Sequence, residues 1–156
     1  MASYKNAQII RWAVIITSFI IVALILWNTY DFFQKFKNEE RAKMEILAGA
    51  YERFGTFDLN ADFSLEDKII GKNNNIPMII TEKDSITLWA NLDSIKTKKT
   101  TYLKKQLAIM KGQNAPLIVS HKRGTTSQFI YYRDSDLLTK LKYYPVALIL
   151  ILFLFA

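Results

Sequence analysis

Cysteine is absent from this 156-residue sequence, and histidine occurs once and glycine five times. Without cysteine the chain can form no disulfide and no thiolate metal site. The few glycines form no phosphate-binding loop, and one imidazole does not supply a cluster of metal ligands. The sequence therefore predicts no cofactor and no metal, and it contains no motif of the common enzyme classes.

The single histidine, His121, lies in "IVSHKRG", within a predicted strand or at its turn. This setting favours a surface or edge-strand residue over a catalytic base. Ser120 is its neighbour, but adjacent strand residues point to opposite faces, so the two make a poor nucleophile and base pair. An enzyme acting at a membrane surface would require His121 to be essential.

Charge is missing from one long stretch, residues 12–30, "WAVIITSFIIVALILWNTY". It also lacks Gly and Pro, and a helix of this length nearly spans a hydrocarbon core of about 30 Å. Trp12, Trp27 and Tyr30 lie near its ends, where amphipathic rings prefer the membrane interface. A cleaved signal peptide is the alternative, but the bulky "WNTYDFF" that follows lacks a small-x-small cleavage site. We expect a transmembrane helix over residues 9–30, preceded by a short tail over residues 1–8.

The helical pattern continues beyond the apolar stretch, and residues 31–55 are predicted to extend the same helix to Gly55. Glu40 interrupts an apolar stripe on this helix. The stripe either packs on the following domain or forms a seam with the same helix of a second subunit. It comprises Phe33, Phe36, Met44, Leu47, Tyr51 and Phe54.

Residues 56–143 combine a linker with strand and helix patterns. The linker lies within "GTFDLNADFSLEDKIIGKNNN", has weak helical content and ends in "GKNNN", a loop by composition. "IPMIITE" and "SITLWANL" predict one hairpin across "KDS", and "PLIVSHK" and "TTSQFIYYR" predict another across "RG". Between them, "TKKTTYLKKQLAIMK" predicts an amphipathic helix. The expected fold is α+β, a mostly antiparallel four-stranded sheet with helices on one face. A final helix, capped by Asp134, Ser135 or Asp136, is expected to be interrupted or kinked at Pro145.

Alternation along the strands places polar and aromatic residues together. Trp89 and Asn91 share one face of their predicted strand, and Phe129, Tyr131 and Arg133 share a face of theirs. If the two faces coincide, these five residues could line a small ligand pocket. The alternative is that the aromatic rings fill the core beneath a helix.

The order of these features resembles the N-terminal sensor region of bacterial membrane-bound sensor histidine kinases. The motifs that carry the resemblance are "PMIIT" at residues 77–81, Trp89 with Asn91, and "YYRDSDLLTKLKYYP" at residues 131–145. The resemblance implies a PAS-like extracytoplasmic domain over residues 56–143 between two membrane crossings. Residues 144–156 would then begin the second crossing, truncated here, and the kinase core with its phosphoacceptor histidine would lie outside these 156 residues.

The resemblance further implies a sensory input module in the cytoplasmic (inner) membrane, with residues 1–8 as a cytoplasmic tail and residues 31–143 on the periplasmic side. We expect a homodimer that responds to an unidentified small molecule or envelope partner. Small shifts of its helices would carry the signal, through Leu47, Tyr51, Leu137, Leu138, Leu141 and Pro145. The alternative function is a membrane-anchored structural or assembly protein that binds an envelope complex.

The formal net charge of +7 raises the question of nucleic acid as a partner. All 14 acidic residues lie within residues 31–142, interspersed with most of the basic ones. A mixed surface between two membrane anchors does not favour nucleic-acid binding. Attraction to the anionic headgroups of the lipid bilayer is the simpler explanation of the basic charge.

Overall fold

The computed structural model describes residues 2–54, 62–120 and 127–155 of the chain. These residues form an α+β structure with four α-helices, one short 3-10 helix at Lys96–Lys98 and four strands. The helices are α1 (Ala2–Phe54), α2 (Ser64–Lys72), α3 (Thr100–Gln113) and α4 (Asp136–Phe155), and the strands are β1 (Met78–Glu82), β2 (Ser85–Ala90), β3 (Leu117–Ser120) and β4 (Ser127–Tyr132). Backbone contacts divide the chain into an apolar unit, Met1–Phe36 with Lys140–Ala156, and a sheet unit, Lys37–Thr139.

The apolar unit is built from the first part of α1 and most of α4. Among the described residues one helix is long and apolar enough to cross a membrane, namely α1 from Gln8 onward, and its most apolar window is entirely unburied. The apolar parts of α1 and α4 lie beside each other and line a shared cavity of about 290 Å³. Pro145 does not interrupt α4. It removes the one hydrogen bond that an amide at this position would donate to the Leu141 carbonyl, and the helix continues to Phe155.

The sheet unit contains a four-stranded sheet in the order β2-β1-β4-β3, and every neighbouring pair is antiparallel. The two predicted hairpins are present as β1 with β2 and β3 with β4. The central pairing joins the hairpins and sets Met78 opposite Tyr132 and Ile80 opposite Ile130. The turn of the second hairpin, predicted at "RG", lies outside the described residues.

The first hairpin closes through a two-residue turn. Lys83 and Asp84 have φ angles of 46° and 64°. Positive φ at both central positions is typical of a type I′ turn, whose twist matches that of the flanking strands. A bulge between Ile80 and Thr81 shifts the register of this hairpin.

One face of the sheet packs against α1. Met44, Leu47 and Ala48 of α1 form a buried cluster with β-strand side chains from alternate positions, and Tyr51 packs against its edge. The sheet contributes Met78, Ile80, Leu117, Val119, Ile130 and Tyr132 to this cluster. Of the two interpretations of the apolar stripe, packing on the domain therefore holds for Met44, Leu47 and Tyr51.

Helix α3 packs against part of the other face of the sheet, at β4, so the expectation that helices occupy one face is wrong. Arg133 Nη1 donates to Gln106 Oε1 of α3 at 3.2 Å, and Lys111 Nζ lies 5.1 Å from the Tyr131 ring centroid. The sequence of β1 is consistent with helices on both sides of the sheet. Its adjacent residues Met78 and Ile79 point to opposite faces, and both side chains are buried. A central strand covered on both sides has an unbroken apolar run instead of an alternation.

Helix α2 occupies part of the segment that the sequence indicates as a linker with weak helical content. Glu66 of α2 is buried and forms an ion pair with Arg53 of α1, with 3.0 Å between Glu66 Oε1 and Arg53 Nη1. Phe54 stacks on Phe63, with ring centroids 5.0 Å apart. These contacts hold α2 beside the end of α1. The predicted helix end at Gly55 lies outside the described residues.

Candidate functional site

A buried polar junction connects α1 to the start of α4. The Ser135 backbone N–H donates to Glu40 Oε2 at 3.2 Å, and the Ser135 hydroxyl donates to Glu40 Oε1. The same hydroxyl oxygen accepts from the Leu138 N–H at 3.3 Å. Ser135 is therefore the N-cap of α4, one of the three residues predicted for that role. We call this arrangement the Glu40–Ser135 junction.

The junction is shielded from solvent, since Glu40 is 7% exposed and Ser135 is 1% exposed. Burial makes the contact consequential, because an acceptor or donor that loses its partner inside a protein is costly. A carboxylate near the N-terminus of α4 also complements the helix dipole. Glu40 and the buried Met44 are four residues apart and therefore lie on the same side of α1. Glu40, which interrupts the apolar stripe, thus faces the interior as Met44 does.

The residues predicted to transmit a signal do not share one environment. In the sheet unit, Leu47 and Leu138 are buried and Tyr51 is half-buried, with a pKa raised by that burial. Leu137 is 54% exposed and does not belong to this buried set. Leu141 and Pro145 belong to the apolar unit, where both are partly buried.

The aromatic residues predicted to line a pocket do lie on one face of the sheet. Trp89 and Tyr131 both pair with Ile79 of the central strand, from opposite sides. Phe129 lies two residues before Tyr131 on the same strand, and the centroids of the two rings are 6.4 Å apart. This is the face against which α3 packs. Trp89 lines an open cleft of about 670 Å³ between β2 and α3.

Asn91 departs from the predicted arrangement, because β2 ends at Ala90 and Asn91 has a left-handed φ of 57°. Its amide donates to the backbone carbonyls of Asn73 at 2.7 Å and Ile76 at 2.9 Å. The side chain therefore braces the loop that precedes β1. With Arg133 it lines a second cavity, of about 320 Å³, next to the start of α4. Of the five predicted pocket residues, Trp89 therefore lines the cleft beside α3, whereas Asn91 and Arg133 line the cavity beside α4.

Arg133 connects β4 to its surroundings from both backbone and side chain. Its N–H donates to the Pro77 carbonyl at 3.1 Å, and its guanidinium donates to Gln106. Within the described part of the chain the buried Nε–H has no hydrogen-bond partner. The packing of the guanidinium against α3 makes Arg133 a connection between layers of the fold.

A third cavity, of about 450 Å³, lies between α1, α2 and the loop before β1. Met44, Leu47 and Ile76 contribute apolar side chains, and Lys43 and Lys72 contribute two cationic ones. The "GKNNN" segment is predicted as a loop by composition, and this cavity was not predicted. The signal available was three consecutive asparagines directly after a lysine of a short helix.

No group of three or more potential metal ligands occurs among the residues that the structure describes. His121 lies outside those residues. Comparison with protein-family models, with curated proteins and with solved structures finds no match to this chain.

Proposed function

We propose that this chain is the membrane-anchored sensory input module of a sensor histidine kinase. The proposal includes a homodimer in the cytoplasmic (inner) membrane, a PAS-like domain on the periplasmic side and a kinase domain outside these 156 residues. It rests on the sequence resemblance carried by residues 77–81, 89–91 and 131–145. The structural observation that carries it is the Glu40–Ser135 junction.

The junction supports signalling because of the two helices that it joins. Both α1 and α4 contribute residues to the sheet unit and to the apolar unit. A stimulus that favours one arrangement of α1 against the α4 cap would change the position of both helices. Such a switch requires a ligand or partner with different affinities for the two arrangements. A buried, hydrogen-bonded contact suits this role, because it has discrete made and broken states.

The test is a chimaera in which residues 1–156 precede the cytoplasmic part of a sensor kinase with a transcriptional reporter. Glu40→Gln keeps the side-chain size and removes the charge and one acceptor oxygen. We expect the basal output to change roughly fivefold or more, because losing about 1 kcal/mol at the junction changes the equilibrium by that factor. Glu39→Gln is the matched control, since Glu39 is the exposed neighbour.

An unchanged output in Glu40→Gln, at equal membrane abundance, would contradict signalling through the junction. The alternative, an envelope assembly protein, then becomes the better proposal. It predicts stoichiometric envelope partners that copurify with the chain. A sensory module predicts an output change without such partners.

Cysteine labelling tests the proposed orientation. The chain contains no cysteine, so each introduced thiol is unique. Ile95 is 79% exposed in the sheet unit, and we expect Ile95→Cys to react with a membrane-impermeant maleimide in spheroplasts. Ser3→Cys, in the predicted cytoplasmic tail, should react only after the membrane is permeabilised. The reverse pattern would place the sheet unit in the cytoplasm and reject the proposed topology.

A further inference from the structure

The cavity between α1, α2 and the loop before β1 has the composition of a small-molecule site. Its volume of about 450 Å³ lies within the range of roughly 300–1,000 Å³ that is usual for ligand pockets. The apolar surface that a ligand can reach comes from Ile46, which is 60% exposed, and from the half-buried Ile69. The buried side chains of Met44, Leu47 and Ile76 complete the apolar wall. An apolar wall with a few polar groups at the rim is the general design of such pockets.

The charge of the lining is entirely positive. Lys43 and Lys72 are both at the cavity, and no Asp or Glu belongs to its lining. In the described residues neither lysine forms an ion pair. Two other cavities of the sheet unit differ, because Asp136 lines the one beside Arg133 and Asp84 lines the cleft beside Trp89.

The rim of the cavity is braced before any ligand binds. Asn91 donates to the carbonyls of Asn73 and Ile76. The Asn73 side chain accepts from the Ile76 N–H and donates to the Ile76 carbonyl, each at 3.3 Å. The exposed amides of Asn74 and Asn75 remain at the rim. A braced loop lowers the conformational entropy that a ligand would otherwise have to remove.

We infer that this cavity binds a small amphipathic carboxylate. The apolar body of the ligand lies on Ile46 and Ile69, beside the buried Met44, and its carboxylate lies between Lys43 and Lys72. Binding at this place contacts α1 one to two turns after Glu40, on the helix that forms the Glu40–Ser135 junction. That the ligand acts as a stimulus rests on the sensory function proposed above, whereas its binding does not.

The test uses the full chain in lipid nanodiscs with isotope-labelled methionine methyl groups. The sequence has four methionines, so the spectrum is simple. Met44 reports on the cavity, and Met110, buried on α3, is the internal control. Titration with 3-phenylpropionate is expected to shift the Met44 resonance saturably and to leave the Met110 resonance unchanged. The neutral 3-phenylpropanamide, of the same shape, should bind about tenfold more weakly.

Lysine variants test the charge. Lys43→Gln combined with Lys72→Gln should weaken 3-phenylpropionate binding about tenfold. Lys68→Gln is the control, because Lys68 is exposed on α2 and does not line the cavity. Equal binding of acid and amide, or an unchanged affinity in the double variant, would overturn the carboxylate assignment. The absence of a saturable Met44 shift would overturn the site.

The failure of binding and the failure of signalling can be distinguished. Glu40→Gln leaves the cavity lining intact, so it should bind 3-phenylpropionate with the affinity of the natural chain. If 3-phenylpropionate binds but leaves the reporter output unchanged, both in the chimaera with the natural sequence and in the chimaera with Glu40→Gln, the binding site stands and its sensory role is rejected. If the junction variant alters output while no probe binds, the sensory function stands and this site is rejected.

Discussion

Replacing Glu40 by alanine removes the acceptor of both hydrogen bonds from Ser135. Hydrogen bonds to a charged group contribute about 1.5–3 kcal/mol each, and a buried donor left without a partner costs about 1–3 kcal/mol. We expect Glu40→Ala to lower the free energy of unfolding by roughly 2–4 kcal/mol. This is a large share of the roughly 5–15 kcal/mol typical of a domain. Ser135→Ala also loses the cap on Leu138 and should cost about 2–3 kcal/mol.

The double variant gives the decisive number. Since the hydroxyl to carboxylate bond is lost in both single variants, Glu40→Ala with Ser135→Ala should destabilise by less than the sum, with a coupling of about 1–2 kcal/mol. The exposed neighbour provides the control, and Glu39→Ala should change stability by no more than about 0.5 kcal/mol. A coupling below about 0.5 kcal/mol would refute the inference that the junction is an energetic link.

Urea unfolding of the full chain in detergent micelles is a suitable assay. Trp89 is the tryptophan of the sheet unit, while Trp12 and Trp27 belong to the apolar unit. Trp12→Phe with Trp27→Phe leaves one reporter of the sheet unit. All variants are compared in that background, and far-ultraviolet circular dichroism verifies that the helices of the apolar unit persist.

Three further predictions concern residues outside the junction. Asn91→Gly keeps the left-handed backbone but loses two hydrogen bonds, so we expect it to lower the free energy of unfolding by roughly 1–3 kcal/mol. Asn91→Ala should lower it by about 1 kcal/mol more, because the alanine Cβ disfavours the left-handed conformation. Urea unfolding measures both changes. The hydrogen bond from the Lys96 side chain holds the pKa of Asp93 below its ordinary value. The stability that this carboxylate contributes is therefore present above the unfolded-state pKa of Asp93 and is lost as pH falls through its lowered folded-state pKa. Carbon NMR titration should show the Asp93 pKa rising in Lys96→Met. Burial raises the pKa of Tyr132. The stability that its neutral phenol contributes is therefore fully present below about pH 10 and is lost as pH rises through the raised folded-state pKa. An ultraviolet titration measures the pKa, and alkaline unfolding measures the loss of stability.

Local patterns predicted most of the architecture. The apolar stretch and the three- and four-residue spacing after it predict α1, and the change to a period of two predicts the two hairpins. The helix between the hairpins was predicted from its apolar face. Each of these elements is specified by side chains close together in sequence, so the pattern contains the information needed.

The layer arrangement was harder to predict. The hairpins indicate strands, but only the run "MII" in β1 distinguishes a strand buried on both faces from one with a solvent face. Helix α2 was predicted only as weak helical content within a linker, because its buried residue is charged. Glu66 is buried and forms an ion pair with Arg53 of another helix, a contact that local sequence does not contain.

The candidate sites depend on contacts that no local pattern contains. Glu40 stands out in an apolar stripe, but its partner Ser135 is 95 residues away. Asn91 was assigned to a strand face by alternation, yet asparagine tolerates the left-handed backbone that the structure shows, and "ANLD" is a plausible strand end. The cavity beside Lys43 and Lys72 forms only after three separate segments come together.

The central position of β1 constrains how the chain folds during synthesis. Strands β1 and β2 can pair as soon as both have been made, because a two-residue turn joins them. The other edge of β1 stays open until β4 is made, and Glu82 contacts Gln128 across a separation of 46 residues. During that interval an apolar strand edge is exposed and can pair with other chains. The ribosome must therefore release residues through β4 before the sheet can close, which makes this interval a period of aggregation risk.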